Sequence, residues 1–207
     1  MSLSTEALFT AALGLQAPWQ VNQVELSTAN KRIDFSVGCS AKRLSCPHCG
    51  GADHCIHDRG SKSWRHLDFF QYEAWLHADV PRVACTACGK TTLVPVPWAR
   101  EGSGFTLLFE ALALSLCKEL PVAQAAQQLR VQGHRLWRRI RHYVKEARLK
   151  DDMSQVRQIG IDETSVKKGH EYITVVHDLA QKRLLFACAG RDHETLAAFC
   201  ARPQRPW

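Results

Sequence analysis

Two short cysteine motifs constrain this chain more than any other feature of its sequence. They are CPHCG at 46–50 and CTACG at 85–89, and in each the paired cysteines are separated by two residues and followed by glycine. A tight turn across such a pair aims both thiolates at one ion, and two such turns complete the tetrahedral shell that structural zinc prefers. The motifs therefore predict a closed, structural zinc site whose ligands are Cys46, Cys49, Cys85 and Cys88.

The interval between the two motifs favours one kind of zinc module. It is longer than the usual zinc-finger interval and fits a zinc ribbon, in which β-strands separate two metal-binding turns. The alternative is a set of cysteines that happen to lie in a buried core. Nearby residues are interpreted as bystanders, with Cys55 or His57 as the substitute ligand if one cysteine does not bind; these bystanders are His48, His54, Cys55 and His57.

Composition points to a polyanionic partner and to an intracellular setting. Lys and Arg number 27 against 20 acidic residues, which gives a net charge of +7. Such an excess favours DNA through counterion release, although a solvated basic surface is the plainer alternative. No apolar stretch approaches the roughly 20 residues that span a bilayer, and the N-terminus lacks a signal-peptide pattern, so we expect no membrane contact and a cytoplasmic location. Nine cysteines in such a chain indicate metal binding or burial rather than disulfides.

Segment patterns predict an α+β multidomain chain. The first part combines a short helix at 4–15 with strands at 19–27 and 31–38, and the cysteine-framed part contains strand candidates at 64–69 and 72–80. Prolines and glycines between 95 and 104 indicate a linker. The predicted segments are an N-terminal helix and β-hairpin at 1–45, a zinc ribbon at 46–94, a helix-turn-helix at 105–150, a partial catalytic domain at 157–200 and an irregular tail at 201–207.

Residues 105–150 show helical periodicity in three runs, of which the last is strongly basic. The predicted inward stripes are Phe105, Leu108, Phe109, Leu112 and Leu116 in the first helix, Val122, Ala125, Ala126 and Leu129 in the second, and Leu136, Ile140, Val144 and Ala147 in the third. Two helices joined by a tight turn, the second basic, are typical of a DNA-binding helix-turn-helix. The alternative is an ordinary three-helix bundle with solubilising arginines. The candidate DNA contacts are Arg135, Arg138, Arg139, Arg141, His142 and Lys145.

An acidic pair lies within the first of three strand-like runs near the end of the sequence. The runs cover 158–166, 171–179 and 183–190, and a short helix is predicted at 193–200. Asp162 follows Ile161 and precedes Glu163 within an apolar strand, so it is either a metal ligand, a salt-bridge partner or a solvent-facing acid. Asp178 and Asp192 are interpreted as turn acids.

In this order the blocks resemble the zinc-ribbon transposases of bacterial insertion sequences, the family designated ISL3. The resemblance is carried by CPHCG, WRHLDF at 64–69, VPRVACTACGK at 80–90, the helix-turn-helix, IGIDETSVKKGHEYITVVHDL at 159–179 and GRD at 190–192. It implies that the ribbon and helix-turn-helix bind double-stranded DNA at the terminal inverted repeats. It also implies an RNase H-like domain that cuts and joins DNA with an Asp-Asp-Glu triad and Mg²⁺, of which this chain has the first three strands. By the same resemblance, Asp162 looks like the first Asp of that triad.

The chain also departs from the family pattern, because it offers no position for the second Asp or the final Glu. The proline-containing end of the sequence leads us to expect a truncated transposase, unable to cut DNA alone. A DNA-binding regulator that occupies element ends without cutting is the alternative, and a small metalloenzyme using Asp162 and Glu163 is a third reading. Open strand edges in a partial sheet predict poor solubility or homo-oligomers.

Overall fold

The computed structural model describes residues 3–167 and 171–201, except for the side chains of 166, 167 and 196. The chain divides into two compact units, Met1–Arg141 and His142–Trp207. The irregular tail predicted at 201–207 lies outside the described residues from position 202 onward.

The first unit contains a six-stranded sheet that crosses the predicted boundary at residue 45. Helix α1 (Thr5–Ala12) precedes the strands, whose sheet order is β1-β2-β5-β4-β3, with β6 also paired to β5. The N-terminal hairpin β1–β2 joins the cysteine-bearing hairpin β4–β5 because β2 and β5 pair in parallel, Ile33 beside Ala74. The strands are β1 (Trp19–Ser27), β2 (Arg32–Cys39), β3 (Arg43–Leu44), β4 (His54–Arg65), β5 (Glu73–Ala84) and β6 (Thr91–Leu93).

The core of this sheet includes a segment that the sequence suggested to be a linker. Strand β2 alternates between buried and half-buried residues, which is the pattern of a strand with one face on the core. Trp98 lies against that face, with its ring 5.0 Å from Trp19 and 5.5 Å from Trp64 in edge-on contacts. The segment at 95–104 does connect β6 to α2 without helix or strand, as predicted, but it is packed rather than solvent-exposed at Trp98 and Ala99, which are buried in the core.

The strand predicted at 64–69 is also largely wrong. Only Trp64 and Arg65 belong to β4, and the chain then turns through 66–72, where Phe69 and Tyr72 exchange backbone hydrogen bonds. Arg65 still pairs with the chain beyond the sheet: its N–H donates to the Gly104 carbonyl, and its own carbonyl accepts from Thr106 N–H. This bridge attaches the start of the helical segment to the end of β4.

Three helices follow, as the sequence predicted, but two of their buried faces differ from expectation. They are α2 (Leu107–Glu119), α3 (Val122–Gln128) and α4 (Gly133–Leu149), and Thr106 caps the first through the Phe109 N–H. The inward positions of α3 are confirmed. On α2, Phe109 and Ala113 are buried whereas Leu108 is 57 % exposed and Leu112 is exposed. On α4, Leu136 is buried, but Val144 and Ala147 are exposed.

The second unit contains an antiparallel sheet of order β7-β8-β9 and a helix, which confirms the strands and helix expected there. The elements are β7 (Ile159–Lys167), β8 (Glu171–Asp178), β9 (Arg183–Ala189) and α5 (His193–Cys200). Phe199 of α5 packs against Phe186 of β9, with ring centroids 5.6 Å apart. Asp178 and Asp192 are turn acids as predicted: Asp178 accepts N–H bonds from the β8–β9 turn, and Asp192 caps α5 in a capping box with Thr195.

Candidate zinc centre and nucleic-acid interface

The four predicted cysteines converge on one point. Their sulfur atoms all lie within 4.8 Å of one another, and no other group of three or more metal-ligand side chains occurs among the described residues. Cys46 and Cys88 sulfurs are 3.8 Å apart, and Cys49 and Cys85 sulfurs are 3.6 Å apart. A tetrahedral zinc ion with Zn–S bonds of about 2.3 Å requires sulfur–sulfur edges of about 3.8 Å. The donor set and its spacing therefore fit zinc.

Backbone geometry explains why each motif ends in glycine. In the first turn Gly50 N–H donates to the Cys46 carbonyl, and in the second Gly89 N–H donates to the Cys85 carbonyl. Both glycines have left-handed backbone angles, φ 74° and 68°, which a residue with a Cβ rarely adopts. The two turns are thus equivalent in construction, and each directs its thiols to the shared site.

The same turns prepare a thiol for metal binding. The backbone N–H of Cys49 donates to the sulfur of Cys46, and this lowers the pKa of the Cys46 thiol from 9.0 to about 7. Against the lowering effect of the Gly51 N–H, the neighbouring sulfurs, Cys85 first among them, raise the pKa of the Cys49 thiol to about 11. Because zinc binds thiolates, the lowered pKa favours ligation by Cys46 near neutral pH, and the crowded sulfurs of the remaining ligands lose their protons when the metal binds.

Three of the four residues predicted as bystanders have side-chain partners other than the four cysteines. Cys55 is exposed and accepts a hydrogen bond from Arg43 at 3.1 Å, and His57 lies 3.4 Å from the carboxylate of Asp58. His48 contacts Lys90 Nζ. His54 differs from these three, because its Nε2 lies 3.4 Å from the sulfur of Cys85.

Helix α4 presents an exposed basic face in its N-terminal part. Arg138 and Arg141 are exposed there, as predicted. His134 lies one turn before Arg138, and Trp137 lies one turn before Arg141; both are exposed and both were missed by the sequence argument. Their i, i+4 spacing from the arginines was the signal that could have identified them. In the second unit, Lys145 is exposed and His142 is half-buried.

Two of the predicted DNA contacts are instead involved in packing. Arg139 is only 6 % exposed, and its guanidinium lies 3.5 Å from the carboxylate of Glu110. Arg139 is therefore corrected from a DNA contact to a core ion-pair residue, because it occupies the inner side of α4. Arg135 is half-buried: it lies over the Phe105 ring at 4.2 Å and donates to the Gly104 carbonyl at 3.3 Å. Burial lowers the pKa of Arg135, with a smaller contribution from Arg139.

A second ionic group holds the helices against the ribbon. Arg65 is buried; it donates to the carboxylate of Asp68 and lies over the Phe109 ring at 5.1 Å. Arg130, in the turn between α3 and α4, donates to Asp68 and to Glu73, the latter at 2.9 Å. The helix-turn-helix and the sheet therefore share charged partners as well as a backbone bridge.

Asp162 is exposed on β7, beside Val175 of β8 in the sheet register. Its carboxylate accepts the N–H of Glu163 at 2.9 Å. The described residues bring no group of three carboxylate or histidine ligands together at this strand. This arrangement gives no support to a complete metalloenzyme site built on Asp162 and Glu163.

No helix in the described part of the chain is long and apolar enough to cross a membrane.

Comparison with known domain families gives three matches in chain order. Residues 42–88 match the zinc-finger of transposase IS204/IS1001/IS1096/IS1165, residues 94–144 match the helix-turn-helix domain of transposase family ISL3, and residues 159–206 match the ISL3 transposase domain. The predicted order of zinc ribbon, helix-turn-helix and DDE domain is confirmed. No solved structure matches the chain.

Two curated relatives are transposases of insertion sequence elements. A transposase for insertion sequence element IS1557 from Mycobacterium tuberculosis is 35 % identical over 204 residues, covering 93 % of this chain and 45 % of that protein. A transposase for IS1001 from Bordetella parapertussis is 26 % identical over 160 residues, covering 77 % of this chain and 39 % of its own length. The chain thus spans about half the length, or less, of these relatives. Together with the three domain matches, they show that this chain belongs to the ISL3 family of insertion-sequence transposases.

Proposed function

We propose that this chain provides the DNA-recognition region of an insertion-sequence transposase together with the first part of its catalytic domain. The observation that carries the proposal is the exposed face of α4, where His134, Arg138 and Arg141 follow one another at helical spacing within a matched helix-turn-helix. In this motif the second helix enters the major groove with its N-terminal residues against base edges. The proposed target is double-stranded DNA at the element's terminal inverted repeats.

The zinc ribbon is proposed to stabilise this DNA-recognition region rather than to take part in DNA cleavage. Four thiolates from Cys46, Cys49, Cys85 and Cys88 would hold the metal in a closed shell, which leaves no position for substrate. The ion would fix the tips of β4 and β5, whose opposite ends carry the Arg65 and Glu73 contacts to the helices. The functional segments are proposed as 46–94 for the ribbon, 105–150 for the helix-turn-helix and 157–200 for the partial catalytic domain.

Asp162 is proposed as the first acidic residue of the catalytic triad, on the family correspondence. Asp162 would be one of the carboxylates that hold a Mg²⁺ pair in such enzymes, and the metal would supply activation of the nucleophile and stabilisation of the leaving oxygen of the DNA phosphate. The described residues do not assemble the set of carboxylates that two such ions require. Asp162 supplies one exposed carboxylate, on strand β7, which pairs with β8 alone among the described strands. Because one carboxylate is too few to hold two Mg²⁺ ions, DNA cleavage is not expected from the described residues by themselves.

DNA binding by the purified chain tests the proposal. Fluorescence anisotropy with labelled duplexes of the element ends and with shuffled duplexes of the same composition measures affinity and specificity at several salt concentrations. We expect tighter binding to end DNA, and a log Kd against log salt slope of several units, because phosphate contacts release counterions. Equal affinity for the two duplexes would remove end recognition, and no binding at low salt would remove the function.

Two single substitutions and a matched control assign the surface. Arg138→Ala and Arg141→Ala should each weaken binding and reduce the salt slope by about one unit. Lys118→Ala removes an exposed cation at the end of α2 and should leave both quantities unchanged. An equal effect of all three substitutions would indicate general charge attraction rather than an interface on α4.

A further inference from the structure

We infer that His54 is a functional part of the proposed zinc centre, as hydrogen-bond donor to the Cys85 thiolate and as the reserve ligand when that sulfur is lost. The inference rests on the proposed zinc site and adds a residue that neither the cysteine motifs nor the family matches indicate. Its basis is the 3.4 Å contact between His54 Nε2 and Cys85 Sγ.

The fold fixes this contact from both sides. His54 is the first residue of β4 and pairs with Leu44 of β3, so its backbone is held by the sheet. Its ring lies against the first cysteine turn: a Cβ built on Gly51 would meet His54 Nε2 at 3.1 Å and Cys49 Sγ at 3.4 Å. The absence of a side chain at Gly51 therefore leaves the space through which the imidazole reaches the sulfur atoms.

The geometry assigns His54 to the outer shell when all four cysteines are present. The cluster of atoms within 4.8 Å of one another contains the four sulfurs and no imidazole nitrogen. Four thiolates around one divalent ion carry a net charge of about −2, and an N–H donor to one sulfur reduces the cost of that charge. Cys85 is buried, so His54 supplies a hydrogen bond that water cannot readily provide there.

The same position makes His54 the natural replacement for Cys85. Zinc accepts three cysteines and one histidine as readily as four cysteines, and a Zn–N bond is slightly shorter than a Zn–S bond. The substitute ligands predicted from the sequence have other partners, because Cys55 accepts a hydrogen bond from Arg43 and His57 lies beside the carboxylate of Asp58. In a chain without the Cys85 sulfur, the His54 ring would take its other neutral tautomer, with the proton on Nδ1, and would bind the metal through the free Nε2 lone pair.

Metal affinity measured by chelator competition on the full chain tests the outer-shell role. We expect His54→Ala to lower the zinc affinity by about tenfold or more, which is the usual effect of losing an outer-shell partner. His54→Gln retains an N–H donor and should lose less. His48→Ala is the matched control, because His48 is exposed and contacts Lys90 instead. Equal zinc affinity in the wild type and His54→Ala, with folding confirmed by circular dichroism, would overturn this role.

Serine substitutions test the reserve-ligand role. Cys85→Ser should keep one zinc per chain with weaker binding, and the cobalt-substituted protein should show reduced thiolate-to-metal absorption. Cys85→Ser combined with His54→Ala should bind at least tenfold more weakly than Cys85→Ser alone. Cys46→Ser keeps the Cys85 sulfur, so adding His54→Ala to it should cost only the outer-shell loss measured in the wild type, and less than it costs in Cys85→Ser. Identical loss in the single and double variants would overturn the role, whereas a wild-type chain that binds no zinc would instead overturn the proposed zinc centre.

Discussion

Arg139 of α4 is ion-paired with Glu110 of α2 inside the helical part of the first unit, at 3.5 Å, and the Glu110 side chain is 0 % exposed. Arg100 and Ser103 donate to the same carboxylate, at 2.9 Å and 2.6 Å. A buried carboxylate is costly unless it is paired and hydrogen-bonded, so this group fixes α4 against α2 and the segment before it. Arg138 and Arg139 are adjacent in α4 but differ in environment: Arg138 is exposed, whereas Arg139 belongs to a buried ion pair.

Substitution of these neighbours should separate folding from DNA binding. Arg139→Ala is expected to lower the free energy of unfolding by about 2 kcal/mol, because it removes one charged partner of a buried carboxylate that keeps Arg100 and Ser103. Arg138→Ala should change that free energy by less than about 0.5 kcal/mol, as surface substitutions generally do. Urea unfolding followed by circular dichroism measures both, and similar stability losses in the two variants would contradict the assignment of Arg139 to the core.

Trp137 should contribute to DNA affinity without contributing to its salt dependence. The indole is 50 % exposed between the basic residues of α4 and carries no charge. Aromatic contact with a base or a thymine methyl adds apolar and stacking energy but releases no counterions. Trp137→Ala is therefore expected to weaken end binding severalfold at every salt concentration, with an unchanged slope. A reduced slope in the anisotropy titration would show that the effect is electrostatic and would refute this role.

The stability of the first unit should decrease in mild acid through His66. Burial and the nearby Arg65 charge lower the pKa of His66 from 6.5 to about 4, and its Nδ1 lies 2.9 Å from the Thr106 hydroxyl. Because the folded-state pKa lies below the unfolded value, the unfolded chain binds the proton more tightly. The contribution of His66 is complete above pH 6.5 and is lost as the pH falls towards 4, by about 3 kcal/mol in all.

Thermal unfolding from pH 7 to pH 4 measures this dependence. His66→Gln retains a polar group near Thr106 but does not titrate, so its stability should vary less with pH than that of the wild type. Parallel pH profiles for the two proteins would assign the acid sensitivity to other groups.

The sheet of the second unit should cause self-association. Strands β7 and β9 each pair only with β8 among the described strands, and Ile161 of β7 is 50 % exposed. Exposed strand edges with apolar side chains favour pairing with another chain. We expect concentration-dependent association in analytical ultracentrifugation, and Ile161→Lys should reduce it. Leu8→Lys, at an exposed position of α1, is the control; a monodisperse monomer at high concentration would exclude the prediction.

Local sequence patterns determined the cysteine turns and most of the regular elements. Two residues between cysteines and a following glycine specify a turn through backbone geometry alone. Even so, the sequence could not place His54. Its distance from Cys85 in the chain is 31 residues, and their contact arises only when β4 and β5 pair.

The tertiary structure decided which faces of the elements are buried. Periodicity shows that apolar residues recur around α2 and α4, but burial of Phe109 rather than Leu108, and of Arg139 beside Arg138, depends on what packs against each helix. Arg139 is buried because it pairs with Glu110, and the segment at 95–104 is packed because Trp98 belongs to the core. The parallel pairing of β2 with β5 places two segments that were predicted as separate domains in one sheet. These outcomes depend on contacts between residues far apart in sequence, whose energies no local pattern contains.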